Sequence, residues 1–448
     1  MIVNKQNLTL AICLTFMGCA ARESALSQPD AHPISKPAPA SLSAEPDGES
    51  LPALTDASTL QDYLAFAALH NPGLKAAFQR WKAALEQVAQ AEALPDPCFN
   101  YKYFIREIET RTGPQRESFS VTQTFPWFGK LALREDIAAR QAKQQRHRYD
   151  LAKRKLFFNV KLTYYEYYYL GRALAITEEN LLLLKTLEEV ARTRYQSGEA
   201  THSAVIKFQI EVAKLDDRLH SLGEMKTPVL ERLNAALNRP SEADLPWPRA
   251  IKTEKRPPDK TDIETILGSD NPELLELAQL IEKEKAAVKL ARRQSYPDVT
   301  LGAGYIDTRD AATNVSGSGE DPVSVTLSVN VPLWQDKNRA VENQARARHM
   351  AAVHDYQEQL NRLQVQWKNS VYRYDDAWRK ITLYDQSLIP KARQALSVTQ
   401  QDYATAAVGF LDMIDAIRTL LEFELTLERA RADQGTALAE LELIAGNT

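Results

Sequence analysis

The chain lacks most of the features that mark out an enzyme or a nucleic-acid binder. It holds three cysteines in 448 residues, Cys13, Cys19 and Cys98, and Cys98 stands alone in the body, so no intramolecular disulfide framework is available there. No Cys/His grouping has the spacing of a zinc site. His349 and His354 lie five apart, a poor metal spacing on a helix, and there is no Met-rich or His-rich tract. Basic residues are not in excess: Lys and Arg number 55 against 59 Asp and Glu, a net charge of −4, which gives no support to a general nucleic-acid binder. Nucleophile motifs, phosphate-binding loops and paired acid/base constellations are missing too. No catalytic residue, cofactor or metal is therefore expected. Beyond the N-terminus there is no run of roughly 18 apolar residues, so a membrane crossing would have to be a closed β-barrel.

What is present begins with an address. Lys5 supplies one positive charge, Leu8 to Met17 is an apolar run of signal-segment length, and the run ends in Phe16-Met17-Gly18-Cys19. This end is similar to the bacterial lipobox, which implies a signal peptide over 1–18 and acylation at Cys19; simple cleavage near Ala20-Ala21 is the plainer reading. Residues 19–56 are rich in Pro, Ala and Ser, with Pro29, Pro33, Pro37, Pro39, Pro46 and Pro52. Such a stretch buries no core and reads as an extended tether.

The body is written twice. Asn71-Pro72 and Asn271-Pro272 each open a helical stretch, and Pro95-Asp96 and Pro297-Asp298 close one. Pro126-Trp127 and Pro332-Leu333-Trp334 each follow an alternating segment, and Tyr195 with Gly198 is matched by Tyr403 with Ala406. The order predicts repeat 1 over 57–238, a proline-rich linker over 239–262 and repeat 2 over 263–448. Each repeat has two segments of period-2 alternation, predicting β-hairpins over about 98–125 and 298–331. In the clearest segment Val323, Val325, Leu327, Val329 and Val331 alternate with Ser324, Thr326, Ser328 and Asn330. In the first repeat Phe119, Val121 and Phe125 alternate with Ser120, Thr122 and Thr124, with Gln123 interrupting the apolar face. Lengths of about 9 to 11 residues suit a tilted membrane strand. A half-buried soluble hairpin is the alternative; the small polar face and the polar segments between the strands favour a wet lumen.

The remainder predicts long helices, over about 130–237 and 335–443. Lys130 to Gln196 has no proline and one glycine, Gly171, enough for on the order of 100 Å of helix. A kink is expected at Pro390. Four membrane strands cannot close a barrel alone, and open edges are not tolerated in lipid. If the strands span a membrane, two copies would pool about eight strands and three copies about twelve.

This order of lipobox, helix, hairpin, Phe125-Pro126-Trp127-Phe128-Gly129, long helix, Tyr-x-x-Gly turn and returning helix, repeated from about Thr59 to Gly446, resembles the TolC-like outer-membrane efflux family. The style is that of the outer-membrane factor lipoproteins serving resistance-nodulation-division pumps. The resemblance implies a mainly α fold with a transmembrane β-barrel contribution, built as a homotrimer. Its barrel of about twelve strands would be continued by a periplasmic α-helical barrel. It also implies a non-enzymatic channel in the outer membrane of a Gram-negative bacterium, lipid-anchored, with a periplasmic adaptor, an inner-membrane pump and outer-membrane lipid as partners and no nucleic acid. The alternatives are a periplasmic adaptor (membrane fusion) protein and the outer-membrane component of type I protein secretion.

Within the resemblance, Asp412 and Asp415 fall where an acidic ring narrows the periplasmic entrance. Their i, i+3 spacing puts them on one helix face, and like charges that close favour cations. Favourable placement at a helix N-terminus is the plainer reading. The first repeat has Ala204 and Lys207 at the matching positions, and Val408 replaces a charged residue that helps latch some members. Tyr195, Gly198, Tyr403 and Gly409 mark the two tips expected to contact the adaptor, or to make plain helix-hairpin turns. Pro126, Trp127, Pro332 and Trp334 mark the strand-to-helix transitions, where the tryptophans serve as interfacial anchors or as core. The block Tyr164, Tyr165, Tyr167, Tyr168 and Tyr169 predicts packing between protomers.

Overall fold

A computed structural model describes residues 54–55, 57–248, 251, 267, 270–405 and 407–446. The signal segment with Cys19, nearly all of the tether, most of the linker and Ala406 lie outside the described residues. Repeat 1 comprises α1 (Leu60–His70), α2 (Pro72–Glu92), β1 (Cys98–Ile108), β2 (Gln115–Phe125), α3 (Lys130–Gln196), α4 (His202–Glu224) and α5 (Lys226–Leu237). Repeat 2 comprises α6 (Pro272–Arg293), β3 (Val299–Thr308), β4 (Val323–Val329), α7 (Gln335–Leu383), a π turn (Tyr384–Leu388), α8 (Ile389–Ala404) and α9 (Phe410–Ala445).

The repeated Asn-Pro pairs do the same local work twice. Asn71 and Asn271 are N-caps with proline next, where its missing N–H is not needed. Asn71 Oδ1 accepts from the Leu74 N–H at 3.0 Å, and Asn271 Oδ1 from those of Glu273 and Leu274 at 2.9 and 3.1 Å. Each amide then reaches the end of its own repeat's returning helix, at Ala236 O (3.0 Å) and Ile444 O (2.9 Å). One side chain thus starts a helix and fastens the end of the repeat to it.

The proline-free run forms α3, 67 residues long, which packs along α2, α4, α6 and α9. Its second-repeat counterpart is continuous from Gln335 through Ala404 except for the π turn. There the Ile389 N–H bonds back to Tyr384 O, one residue wider than an α turn. The wide turn stands just before Pro390, which has no N–H to give. The expected kink site is therefore a π turn. The returning helix of repeat 1 is broken at Met225, whereas α9 runs 36 residues unbroken. Pro228, in the first turn of α5, accounts for the difference, because an unbroken helix would need its N–H.

Among the described residues three apolar clusters hold the helices. One lies toward the tips, around Phe208, Met413 and Ile417. The others sit at the capped ends of the two repeats, around Tyr63, Tyr167 and Leu233, and around Leu274, Tyr374 and Leu441. Four of the five tyrosines of the block belong to the interior of a single chain, with Tyr169 half-buried, which for those four corrects the expectation of packing between protomers. Tyr164, Tyr165, Tyr167 and Tyr168 are all buried. Tyr167 stacks on Trp247 (4.3 Å between centroids) and donates to Leu245 O at 2.7 Å. Tyr168 donates to the buried Glu428 at 2.8 Å. Tyr165 lies against Gly435, where an added Cβ would come within 2.6 Å of the ring. Folding segments of the linker and of α9 over this helix circumference explains how a wide aromatic band is covered without a second chain.

Candidate channel wall and helical tip

The four strands form one antiparallel sheet in the order β1-β2-β3-β4, so among the described residues β1 and β4 pair on one side only. Phe99 stands opposite Val121, Tyr101 opposite Phe119, Phe119 opposite Tyr305, Val121 opposite Ala303, and Leu301 opposite Leu327. Directly opposed residues share a face, so one face is a continuous band of aromatic and aliphatic groups. The other face carries Asn100, Ser120, Thr122, Thr124, Thr300, Thr326 and Ser328, with Gly302 and Gly304 among them. Thr124 and Thr300 share a hydroxyl hydrogen bond of 2.9 Å across it. A Cβ on Gly302 would come within 2.9 Å of Thr122 Cγ2, and one on Gly304 within 2.8 Å of Ser324 Oγ. Bare backbone is what lets the polar side chains close over β3.

Nothing among the described residues covers the apolar band. Ile105 is 94% exposed, Val325 85% and Leu327 66%. A soluble hairpin would bury this row, since a patch so large is a contact surface for another apolar medium. Gln123, the polar interruption, sits at the rim, where its amide donates to Pro95 O at 2.7 Å.

The strand-to-helix transition is built around Lys130 at the first turn of α3. Its ammonium is almost fully enclosed, donating to Asp298 Oδ1 and to Tyr296 O, both at 2.8 Å. Asp298 also accepts the Trp127 N–H at 2.8 Å. Partial burial works against the ionised carboxyl, but the hydrogen bonds from Lys130 and Trp127 hold its pKa below the ordinary aspartate value. Trp127 stacks on Tyr296 at 5.7 Å. The two tryptophans therefore differ: Trp127 packs inward, while Trp334 is 76% exposed, as an interfacial anchor would be. Pro126 and Pro332 are half-buried at the two exits. In the sequence Asp298 is legible as the end of one helical stretch and Lys130 as the start of another; their pairing is not, although an Asp stands identically after both Pro95 and Pro297.

At the opposite end the two tips are joined. Arg194 donates to Tyr403 O at 2.7 Å and Ala404 O at 2.5 Å, and its guanidinium lies 5.0 Å over the Tyr403 ring. Tyr403 is buried against Phe208, so it supports the tip from inside, whereas Tyr195 is on the surface beside His202. Gly198 has φ +80°, the left-handed turn that favours glycine; Gly409 has φ −86° and needs no such freedom. Asp412 accepts the Gly409 N–H at 3.1 Å, a helix-capping contact. Asp415 is exposed on the same side, near Arg418. Arg418 is itself held by Glu211 of α4 at 2.9 Å, and Lys207 lies 5.0 Å over the Phe410 ring. No group of His, Cys, Asp or Glu among the described residues is arranged to hold a metal ion.

The model of one family, described as "Outer membrane efflux protein", matches residues 64–239 and 267–447, one segment for each repeat. The chain belongs to the outer membrane efflux protein family. Outer membrane protein TolC of Vibrio cholerae serotype O1 is 24% identical over 158 residues, 34% of this chain; the match spans 36% of that relative's length. The solved structure of the outer membrane protein VceC from Vibrio cholerae covers 87% of this chain and 96% of its own, with a TM-score of 0.73 and 19% identity. The open-state MtrE outer membrane channel of Neisseria gonorrhoeae covers 87% and 89%, with a TM-score of 0.71 and 16% identity. The family match falls on both repeats and each of the two solved structures covers 87% of this chain, so the two-repeat plan of helix, hairpin and long helical pair is the family's fold.

Proposed function

We propose that three copies of this chain share one β-barrel in the outer membrane and continue it as a ring of paired helices into the periplasm. The assembly is a passive conduit, receiving cargo from a periplasmic adaptor and an inner-membrane pump. The observation that carries this reading is a sheet with an uncovered apolar face, a small polar face and two open edges. Lipid satisfies the first, water the second, and only further strands satisfy the third. Cargo choice belongs to pump and adaptor, with metal ions, drugs and secreted proteins all compatible with the polar inner face.

In this assembly Cys19 is the acylated N-terminus, which mass spectrometry of the purified protein tests directly; an unmodified terminus elsewhere would remove the anchor. The tips at Tyr195–Gly198 and Tyr403–Gly409 dock the adaptor, and Asp412 and Asp415 form the acidic entrance. An adaptor protein, the principal alternative, would carry one helical hairpin between β-rich halves, whereas here a hairpin and a helical pair alternate twice. The test is a conductance recording on the detergent-purified chain in a planar bilayer, with discrete steps expected. A soluble monomer that needs no detergent and passes no current would overturn the proposal.

A further inference from the structure

The duplication carries a prediction about the seam between copies, an inference that rests on the shared-barrel reading. Measured from the repeated prolines, Cys98 and Thr300 are counterparts, each three residues after its Pro of Pro-Asp. Thr122 and Ser328 are likewise counterparts, each four before the proline that ends its hairpin. The structure tests this matching inside the chain: Cys98 stands opposite Thr122, and Thr300 stands opposite Ser328. The two hairpins therefore have one register.

The strands joining the hairpins, β2 and β3, have a register of their own, with Thr124 opposite Thr300. The counterpart of Thr124 is Asn330, two before its proline, and the counterpart of Thr300 is Cys98. We infer that β4 of one copy pairs antiparallel with β1 of the next, with Asn330 opposite Cys98 of the neighbouring copy. Ser328 then faces Asn100, Val329 faces Phe99, and Leu327 faces Tyr101. Every pair joins polar to polar or apolar to apolar. A slip of one residue would set Ser328 against Phe99 and Leu327 against Asn100, turning the apolar row of β4 into the lumen.

The junction below the strands agrees. Within the chain Trp127 stacks on Tyr296. Their counterparts are Leu333, one after its proline, and Leu94, one before its own, and both are exposed in the single chain, at 73% and 46%. Across the seam they would meet as an apolar pair. The Lys130–Asp298 ion pair is not repeated, because Asp336 stands four residues after Pro332 where Lys130 stands four after Pro126.

The native Cys98 makes the register measurable. Directly opposed residues lie about 4.5–5.5 Å apart between Cα atoms, inside the roughly 4.4–6.8 Å span of a disulfide. The full-length Asn330→Cys variant, oxidised in isolated outer membranes, is expected to convert from single-chain to covalent three-chain species on a non-reducing gel. Each disulfide removes two thiol hydrogens, taken up by the added oxidant. Cys98→Ser in the same chain should abolish the product, and Val329→Cys, pointing to the other face, should give none. If Asn330→Cys does not assemble, the triple variant Cys98→Ser, Asn100→Cys, Ser328→Cys probes the next pair of the same register and should crosslink equally. Crosslinking of native Cys98 to Ser328→Cys instead of Asn330→Cys would overturn this register while leaving a shared barrel standing. No crosslink at any of these positions, together with a single-chain mass in detergent, would overturn the register and the shared barrel alike.

Discussion

Lys130 Nζ lies 2.8 Å from Asp298 Oδ1, with the lysine side chain 4% exposed. This contact joins the long helix of repeat 1 to the loop that feeds β3 of repeat 2, at the level where sheet gives way to helix. A buried cation left without its carboxylate is strongly unfavourable, so Asp298→Ala is expected to cost about 3–5 kcal/mol. Thermal unfolding in detergent measures it. A loss within a few tenths of a kcal/mol would show that the ammonium is hydrated after all.

The apolar face of β4 predicts its own sensitivity. Leu327→Arg places a charge on the proposed lipid side and is expected to cost roughly 2–4 kcal/mol per copy near mid-membrane. Ser328→Arg, one residue along on the polar face, should assemble much better. Equal outer-membrane yields of the two variants, by fractionation, would deny that the faces meet different media.

Glu211 ties α4 to Arg418 of α9. Partial burial opposes its ionisation, yet hydrogen bonds from Arg418 and Lys214 bring the pKa below the ordinary glutamate value. A carboxyl with a pKa lowered by folding stabilises the folded state above its unfolded value, about 4.3, and loses that contribution as pH falls through the lower folded value. Local opening across α4 and α9, taken from hydrogen exchange corrected for its intrinsic pH dependence, should therefore be steady near neutrality and rise in the acid range. Glu211→Gln should remove that particular rise; an unchanged acid profile in this variant would assign the loosening to other groups.

The two carboxylates proposed for the entrance, Asp412 and Asp415, are separable. Asp415→Asn should lower cation preference in a planar bilayer with little change in stability. Asp412→Asn should add a stability loss of about 0.3–1 kcal/mol, since its carboxylate sits at the positive end of α9 and accepts the Gly409 N–H. Ion selectivity identical to the parent in the double variant would leave Asp412 as a cap and nothing more.

Periodic features were the legible ones. Strict alternation from Val323 and the proline-free stretch from Lys130 each allow one backbone conformation that buries or wets the right atoms, and the sheet and α3 follow them. The repeated Asn-Pro pairs were visible as landmarks and their capping is local, but their grip on the ends of the two returning helices depends on contacts some 170 residues apart that no local pattern encodes. The tyrosine block misled because five aromatic residues around one helix need cover from several directions. Which segments provide it, Trp247 and Gly435 among them, is a tertiary fact. Arg194 illustrates the same limit at the tip, its partners being backbone oxygens of the second repeat. The break at Met225 was readable from Pro228.

The bare stretch of β3 at Gly302 and Gly304 has a bearing on how such a pore tolerates change. In the proposed ring of three copies, a single altered codon would insert three side chains at one height of the lumen, each crowding Thr122 or Ser324 of its own wall. Substitutions there would first narrow the bore for bulky cargo while small ions still pass, so the lesion would surface as altered selectivity by size before it surfaced as misfolding.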